Sequence, residues 1–470
     1  MAEDSDVGIA EDSATLFTRG VREIVPWPVE ILDLPDPTEP ELLATGTSER
    51  APVLLRTAQE RRRRQQEAGL ILNRVVYDAT HFVPARTELV PGGALLFESR
   101  FESGNLRRAW QVGPRTYELD LYPDRSTDLH TRWFYFSVSN TRPGEPYTFL
   151  VSNMSVSAKS SMYHAGMQPV VLSRRAQLER GEGWRRSGTE VLYHSNGRRR
   201  SSRRRGTFHT LRFVLHFEYA DDTVSVAPCV PYTYSHIREF LRSLSDDPTR
   251  AYRMRRRRLC STLAGNACEV VTVTSFSSNE DDCAVPLAQR RGIVVTARVH
   301  PGEPQASWMM QGLLEFLTGP SLQAKQLRDH FVFKLVPVLN PDGVVVGNQR
   351  VNLSGADLNR RWDAPSKALH PTVYAAKSMI RQLQGDRELF LFADLHGHSK
   401  KRSVFLYGNC SAATSHAERL GERILPYLMQ LASQGSFAYD NCKYKVEPGK
   451  SGSARVVVAL ELKVALSRNI

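Results

Sequence analysis

The chain has 470 residues, 41% hydrophobic and 24% charged, a balance typical of globular proteins that excludes a wholly disordered chain. At roughly 150 residues per domain, the length points to two or three domains. The net charge of +12 is carried by 51 Arg and only 11 Lys; it favours acidic partners such as nucleic acid, anionic lipid or Glu-rich protein tails, although a skewed codon composition produces the same Arg excess with no function attached.

The first 88 residues are predicted to form a poorly ordered extension. They carry mixed charge, the stretch PWPVEILDLPDPTEPE and the run Arg61–Arg64, with no core face. The terminus MAEDSDVGIAEDSATLF is acidic and lacks an apolar signal core. Nowhere does an apolar run approach the ~18 residues a spanning helix needs. Six Cys, at 229, 260, 268, 283, 410 and 442, include no C-x-x-C pair, so neither a Cys-based zinc site nor a disulfide scaffold is expected. The default is a cytosolic protein with reduced thiols and no membrane contact.

From 89 to 231 short runs alternate aromatic or β-branched residues with polar ones: ALLFESRF, TYELDLY, RWFYFSVSN, YTFLVSN, LRFVLHFEY and VSVAPCV. These predict an antiparallel β-sandwich. NGRRRSSRRRG, at 196–206, reads as an exposed loop within it. From 232 to 470 strands alternate with helices. RGIVVTARV, HFVFKLVPVL and ELFLFADL read as buried strands, and SARVVVALEL as the last one. ASWMMQGLLEFLTG, PTVYAAKSMIRQLQ and SHAERLGERILPYLMQLA carry helical spacing. The alternation predicts an α/β domain with a mixed sheet and helices on both faces. Ligands in such sheets bind beyond the carboxyl ends of the strands.

Chemistry-bearing residues cluster at those ends. In VVTARVHPGEP, His300 and Glu303 follow a buried strand, and the Pro301-Gly302 turn lets imidazole and carboxylate converge on one ion. A third ligand comes from LFLFADLHGHSKK, where His396 leaves its strand end; His398 is its rival, and Asp394 stands ready to orient a ligand. Two His and one carboxylate with an open position form a catalytic zinc arrangement, which polarises a carbonyl and acidifies a bound water. Between them, Asn340-Pro341-Asp342-Gly343 closes a strand as a structural turn. Arg350, Asn359 and Arg360 follow, able to bind a carboxylate and support an oxyanion.

The ordered strings FESGNL, PYTYSHIREFL, TARVHPGE, VPVLNPDGVVVGN, LSGADLNR, DLHGHSKK and KSGSARVVV resemble the cytosolic carboxypeptidases, zinc metallocarboxypeptidases that shorten polyglutamate tails on tubulin. The resemblance runs from about 93 to 458 and places the first two strings in the amino-terminal sandwich. It implies a β-sandwich followed by a carboxypeptidase domain over 232–470, one zinc ion on His300, Glu303 and His396, and substrate contacts from Arg350, Asn359 and Arg360. Arg455 takes the position that faces an acidic side chain of the departing residue, with Lys450 a weaker candidate. Tubulin or other Glu-rich tails are the implied partners. Microtubule, centriole or cilium association is the implied location.

The family continues past RVVV into a Thr-x-Glu segment whose Glu is the general base. Here the register sets that position at about Ile470, and Glu461 comes too early, so no residue matches the base and the domain reads as incomplete. Without a proton acceptor the rate is expected to fall by at least roughly 10²–10⁴, and an opened sheet edge to weaken the fold. Competing readings are a pseudoenzyme holding acidic tails and a zinc amidase for N-acyl amino acids. Nucleic-acid binding through Arg198–Arg200, Arg203–Arg205 and Arg255–Arg258 lacks interleaved aromatics and is not expected.

Overall fold

Alternating residues bury one face of each strand and so set which sheets can stack. The computed structural model describes residues 74–81, 93–156, 161–200, 206–276, 285–410, 415–464 and 466–470. Eleven strands come first among these: β1 (Arg74–Asp78), β2 (Leu96–Glu98), β3 (Leu106–Gly113), β4 (Thr116–Leu121), β5 (Phe136–Ser139), β6 (Pro146–Met154), β7 (Val170–Ser173), β8 (Arg185–Arg186), β9 (Thr189–Arg199), β10 (Thr207–His216) and β11 (Val224–Ala227). They build one sheet in the order β1-β3-β4-β6-β10-β9 and a second in the order β2-β5-β11-β7-β8. A shared aromatic core joins them, with Phe97, Tyr117, Phe136, Phe149 and Phe213 buried. All pairs are antiparallel except β4 with β6, which run parallel.

The sandwich starts earlier than its expected boundary at 89. Arg74–Asp78, assigned from sequence to the poorly ordered extension, pairs with β3 and buries Tyr77. Asp78 is fixed to Arg108 at 2.5 Å. Five residues of strand beside polar chain carry too little pattern to be read locally; their partner lies thirty residues on. Residues 1–73 and 201–205 lie outside the described residues. Of the expected loop at 196–206, residues 196–199 continue β9.

The second domain holds the other eight strands: β12 (Met254–Ser261), β13 (Ala267–Val273), β14 (Arg291–Ala297), β15 (Phe331–Val336), β16 (Leu389–Leu395), β17 (Tyr407–Cys410), β18 (Lys443–Lys445) and β19 (Leu466–Asn469). They form one mixed sheet in the order β12-β13-β15-β14-β16-β19-β17-β18, with β15, β14, β16 and β19 parallel. Helices α1 (Tyr234–Asp246) and α2 (Gln305–Thr318) pack on one face; α3 (Pro371–Asp386) and α4 (Ala454–Leu460) cover the other.

Three expectations are corrected here. PYTYSHIREFL belongs to the second domain, because α1 begins at Tyr234 and packs into that core. SARVVVALEL is helix α4, not a strand: Ala454–Val458 are all buried where it packs on β16, β17 and β19, which erases the helical stripe and mimics a buried strand. Nor is the sheet open beside β16, since β19 pairs along it from Leu391↔Leu466 to Asp394↔Asn469.

The string FESGNL clasps the two domains. Glu102 accepts the first N–H groups of α1, from Tyr234 at 2.6 Å and Ser235 at 3.0 Å. The Ser103 hydroxyl donates to the Val344 carbonyl at 2.7 Å. Gly347, at φ +73°, passes so close that a Cβ there would meet the Gly104 carbonyl at 2.6 Å. Deeper in the seam, the buried Asp124 accepts three backbone N–H groups, from Gln349, Arg350 and Val351, at 2.5, 2.6 and 2.9 Å. Burial nevertheless pushes its carboxyl up to about 6, the three donors opposing. Replacing Asp124 by Ala strands those donors and is expected to cost about 2–4 kcal/mol, measured as a lowered urea midpoint.

Candidate metal centre

Strands β14 and β16 are parallel neighbours in register, Thr296 opposite Asp394 and Ala297 opposite Leu395. Residues just past their carboxyl ends therefore emerge side by side. His300 and His396 do so, with ring centroids 5.0 Å apart. Glu303 joins them from the turn. Its Oε1 lies 3.0 Å from His300 Nδ1 and its Oε2 3.0 Å from His396 Nδ1. Ligand atoms of these three residues all fall within 4.8 Å of one another. The expected set of His300, Glu303 and His396 is thus brought together.

The turn is held from outside. Arg298 adopts φ +55°, an uncommon conformation for a side-chain-bearing residue. Its buried guanidinium donates to the Pro301 carbonyl at 2.7 Å, the Tyr232 carbonyl at 3.0 Å and Ser307 Oγ at 2.8 Å. Pro301 rests against Gly343 so tightly that a Cβ there would lie 2.4 Å from its ring. The Asn340–Gly343 string has the structural role expected, but as the start of a single helical turn, Pro341–Val345, capped by the Asn340 side chain.

Each imidazole is oriented through its far nitrogen. His396 Nε2 is 2.8 Å from Asp394 Oδ2, and the fully buried Asp394 also accepts from Thr296 Oγ1 at 2.7 Å. His300 Nε2 is 3.1 Å from Asp357 Oδ1, and Asp357 Oδ2 accepts from Arg350 Nε at 2.9 Å. Both Nδ1 atoms are left facing Glu303. The arrangement matches ligating imidazoles backed by carboxylates. Burial would raise the Glu303 carboxyl, yet the two imidazoles hold it well below the usual carboxylate range. Burial also opposes charge on His396, but Asp394 and Glu303 raise that imidazole to about 10. A bound cation would take the place of these protons. Two imidazoles and a carboxylate with one side open suit zinc.

His398 is not part of the group. Its Nδ1 accepts the backbone N–H of Lys400 and Lys401 at 3.2 and 2.9 Å. Asn359 Nδ2 lies 3.1 Å from His396 Nε2, and its Oδ1 accepts from Ala454 N at 2.9 Å, which seats the start of α4 beside the centre. Arg350, Arg360 and Lys450 lie in one another's fields; burial, then Arg360 and Arg350, lower the Lys450 ammonium. Arg455 is buried one residue into α4. It donates to the Gly408 carbonyl and to Asn409 Oδ1, while its Nε has no hydrogen-bond partner among the described residues. Burial pushes it down to about 10.

Asp357 and Arg298 escape the sequence reading. Asp357 sits inside LSGADLNR, between Arg350 and Asn359, and a carboxylate flanked by such residues was the available signal. Three carboxylates contact the imidazoles among the described residues: Glu303, Asp357 and Asp394. Each is engaged. Glu461 pairs instead with Lys377 at 2.7 Å and with Arg381.

A family model described as zinc carboxypeptidase matches residues 237–458, and one described as cytosolic carboxypeptidase N-terminal domain matches residues 97–227. Cytosolic carboxypeptidase 2 of Xenopus tropicalis is 43% identical over 362 residues, 77% of this chain and 36% of the relative. Cytosolic carboxypeptidase 1 of Mus musculus is 39% identical over 417 residues, 84% of this chain and 34% of the relative. The chain thus spans about a third of the length of these two curated relatives. A metallo-carboxypeptidase from Burkholderia cenocepacia shares the fold with a TM-score of 0.64 at 22% identity, covering 80% of this chain and 89% of that one. One from Pseudomonas aeruginosa, in complex with (2-guanidinoethylmercapto)succinic acid, has a TM-score of 0.60 at 26% identity, with 79% and 88% covered. No helix among the described residues is long and apolar enough to cross a membrane.

Metal analysis of the dialysed protein should find one zinc per chain. His396→Ala and Glu303→Gln are expected to abolish retention. Asp394→Ala should weaken it about 10–100-fold, and Glu461→Gln should leave it unchanged.

Proposed function

We propose, because the chain belongs to the zinc carboxypeptidases and carries the amino-terminal domain of their cytosolic branch, that it binds one zinc ion on His300, Glu303 and His396 and acts on the carboxyl-terminal or side-chain-linked glutamates of acidic protein tails. One observation carries this reading. A His-Glu-His group, with His300 buried and Glu303 and His396 half-buried, lies beside Arg350, Arg360 and Lys450, with Asp357 a carboxylate among them.

When bound, zinc supplies Lewis acidity toward the scissile carbonyl and acidifies a water. The chain's own groups supply the rest. Arg350 is pre-aimed by Asp357 and, with Arg360 and Lys450, offers donors to the tail's terminal carboxylate. Burial would raise the Asp357 carboxyl, but the His300 contact and the Arg350 charge hold it well below its usual range, so it stays an acceptor. Arg455, with its unpaired Nε, supports a preference for an acidic departing side chain, since a buried guanidinium recovers its desolvation cost by pairing. Tubulin tails have this chemistry, as do other polyglutamate segments, and location along microtubules or cilia follows from the same reading.

Proton transfer is the weak step. The carboxylates touching the imidazoles are already occupied as ligand or as orienting groups, which favours a second reading of this 470-residue polypeptide: it holds acidic tails and cleaves them slowly. Against an ordinary turnover of about 10 s⁻¹, glutamate release below roughly 0.1 s⁻¹ is expected. The zinc-loaded chain should bind polyglutamate peptides with affinity that falls as salt rises. Mass spectrometry of the products and fluorescence anisotropy measure the two. Release at the ordinary rate would overturn the slow reading. Hydrolysis of N-acyl amino acids without peptide binding would replace it by an amidase.

A further inference from the structure

One loop of the sandwich, residues 122–135 between β4 and β5, reaches the metal centre. Near its start Asp124 grips the backbone of Arg350. Near its end stands Arg132. This side chain makes no hydrogen bond or ion pair with any described residue, and its Nε is buried without a partner. Beside it lies Arg200 at the end of β9, whose guanidinium donates to the Ser155 carbonyl. Ser155 N in turn donates to the Thr131 carbonyl at 2.9 Å, so both arginines hang on one strip of sandwich backbone. The Arg200 Nε is also buried without a partner among the described residues.

The surroundings of Arg132 do not explain why a guanidinium should be there. The charged groups that reach it are Arg350, Arg200 and Glu303, two cations and a metal ligand. Burial, then the Arg350 charge, push it below its ordinary value. Packing like charges together with unpaired donors is unfavourable in the absence of an anion. Arg212, on the same sheet, shows the ordinary solution, a partner carboxylate from Glu190 at 2.8 Å. Arg132 and Arg200 have none among the described residues.

We infer that Arg132 and Arg200 form a second anion subsite, supplied by the sandwich, which takes the side-chain carboxylate of a residue upstream of the one removed. The inference rests on the proposed reading of the site as one that handles acidic tails. Direction follows from the two sets of neighbours. Arg455, assigned to the terminal residue, has Glu422, Arg468 and Glu447 as its charged neighbours, all in the second domain and Arg468 on β19. Arg132 shares none of them. A tail whose last residue points toward Arg455 and whose terminal carboxylate meets Arg350 must leave past the sandwich, where Arg132 stands. The sandwich then acts as a selector for a run of acidic residues and not for a single one.

Peptide binding to the zinc-loaded 470-residue chain tests this without requiring turnover. Two fluorescent peptides of equal length are compared, one ending Glu-Glu-Glu and one ending Gln-Gln-Glu, with a third ending Gln-Gln-Gln to report the terminal position. The unmodified chain is expected to favour the first by at least about tenfold. Arg132→Gln should erase most of that preference while leaving affinity for the second peptide within about twofold. Arg132→Lys should restore part of it, since charge returns without the planar fork. Arg200→Gln should give a smaller loss of the same kind, and it serves as the alternative variant if Arg132→Gln fails to fold. Zinc content and unfolding midpoint show which variants are intact. Equal losses on both peptides, or no loss on either, would overturn the subsite. A chain that prefers terminal Glu to terminal Gln yet ignores upstream charge would overturn the subsite alone. A chain indifferent to charge at every position would overturn the acidic-tail reading itself.

Discussion

The site depends on two parallel strands ending at the same level. Because β14 and β16 are adjacent and in register, the first imidazoles beyond their ends face each other across about one side chain. Glu303 fills the gap in this pocket, held well below the usual carboxylate range by the imidazoles, while Asp394 and Glu303 raise His396. Such a pocket is unfavourable as an empty apolar cavity and favourable as a cation site. Much of what surrounds it serves to keep that geometry. Arg298 holds the turn in a conformation it would not adopt unaided, Gly343 makes room for Pro301, and Asp394 and Asp357 fix the rings from behind.

The second constraint is charge. Arg350, Arg360 and Lys450 stand together with Asp357 and, beside Lys450, Glu447, and Arg132 and Arg200 extend the positive surface onto the sandwich. That surface is assembled from both domains. Asp124 of the sandwich positions the backbone of Arg350, and FESGNL fastens the sandwich to α1 and to the turn after β15. The first domain is therefore part of the site and not a neighbour of it. The clasp also explains why the string is recognisable: Glu102 caps a helix, Ser103 bonds the Val344 carbonyl, and a Cβ on Gly104 would strike the Ser99 carbonyl.

The carboxyl end shows how context overrides local pattern. A run of valines reads as a strand, yet Ala454–Leu460 is a helix whose five consecutive residues Ala454–Val458 are all buried, so no polar face marks the helical period. The last residues, which match no expected string, supply β19 and pair with β16. Ile470 exchanges backbone hydrogen bonds with Asp394 and His396 at 3.0 and 2.7 Å. Backbone pairing needs no particular side chains, so a segment outside the matched family model can still add a strand to the sheet.

Read alone, the sequence pointed to a strand-rich segment followed by an alternating one, and to His300, Glu303 and His396 as a group, side chains that the structure brings together. Strand periodicity and short metal-ligand spacing are local signals, and both survive folding unchanged. The choice of His396 over His398 also follows from distance to the strand end. Tertiary structure alone decided the rest. It brought Asp357 between His300 and Arg350, placed Arg132 beside a centre almost 170 residues away in the chain, turned the valine run into a helix and recruited Arg74–Asp78 to the sandwich. These outcomes depend on which elements become neighbours, and neighbours are set by the packing of distant faces and not by any pattern within a segment.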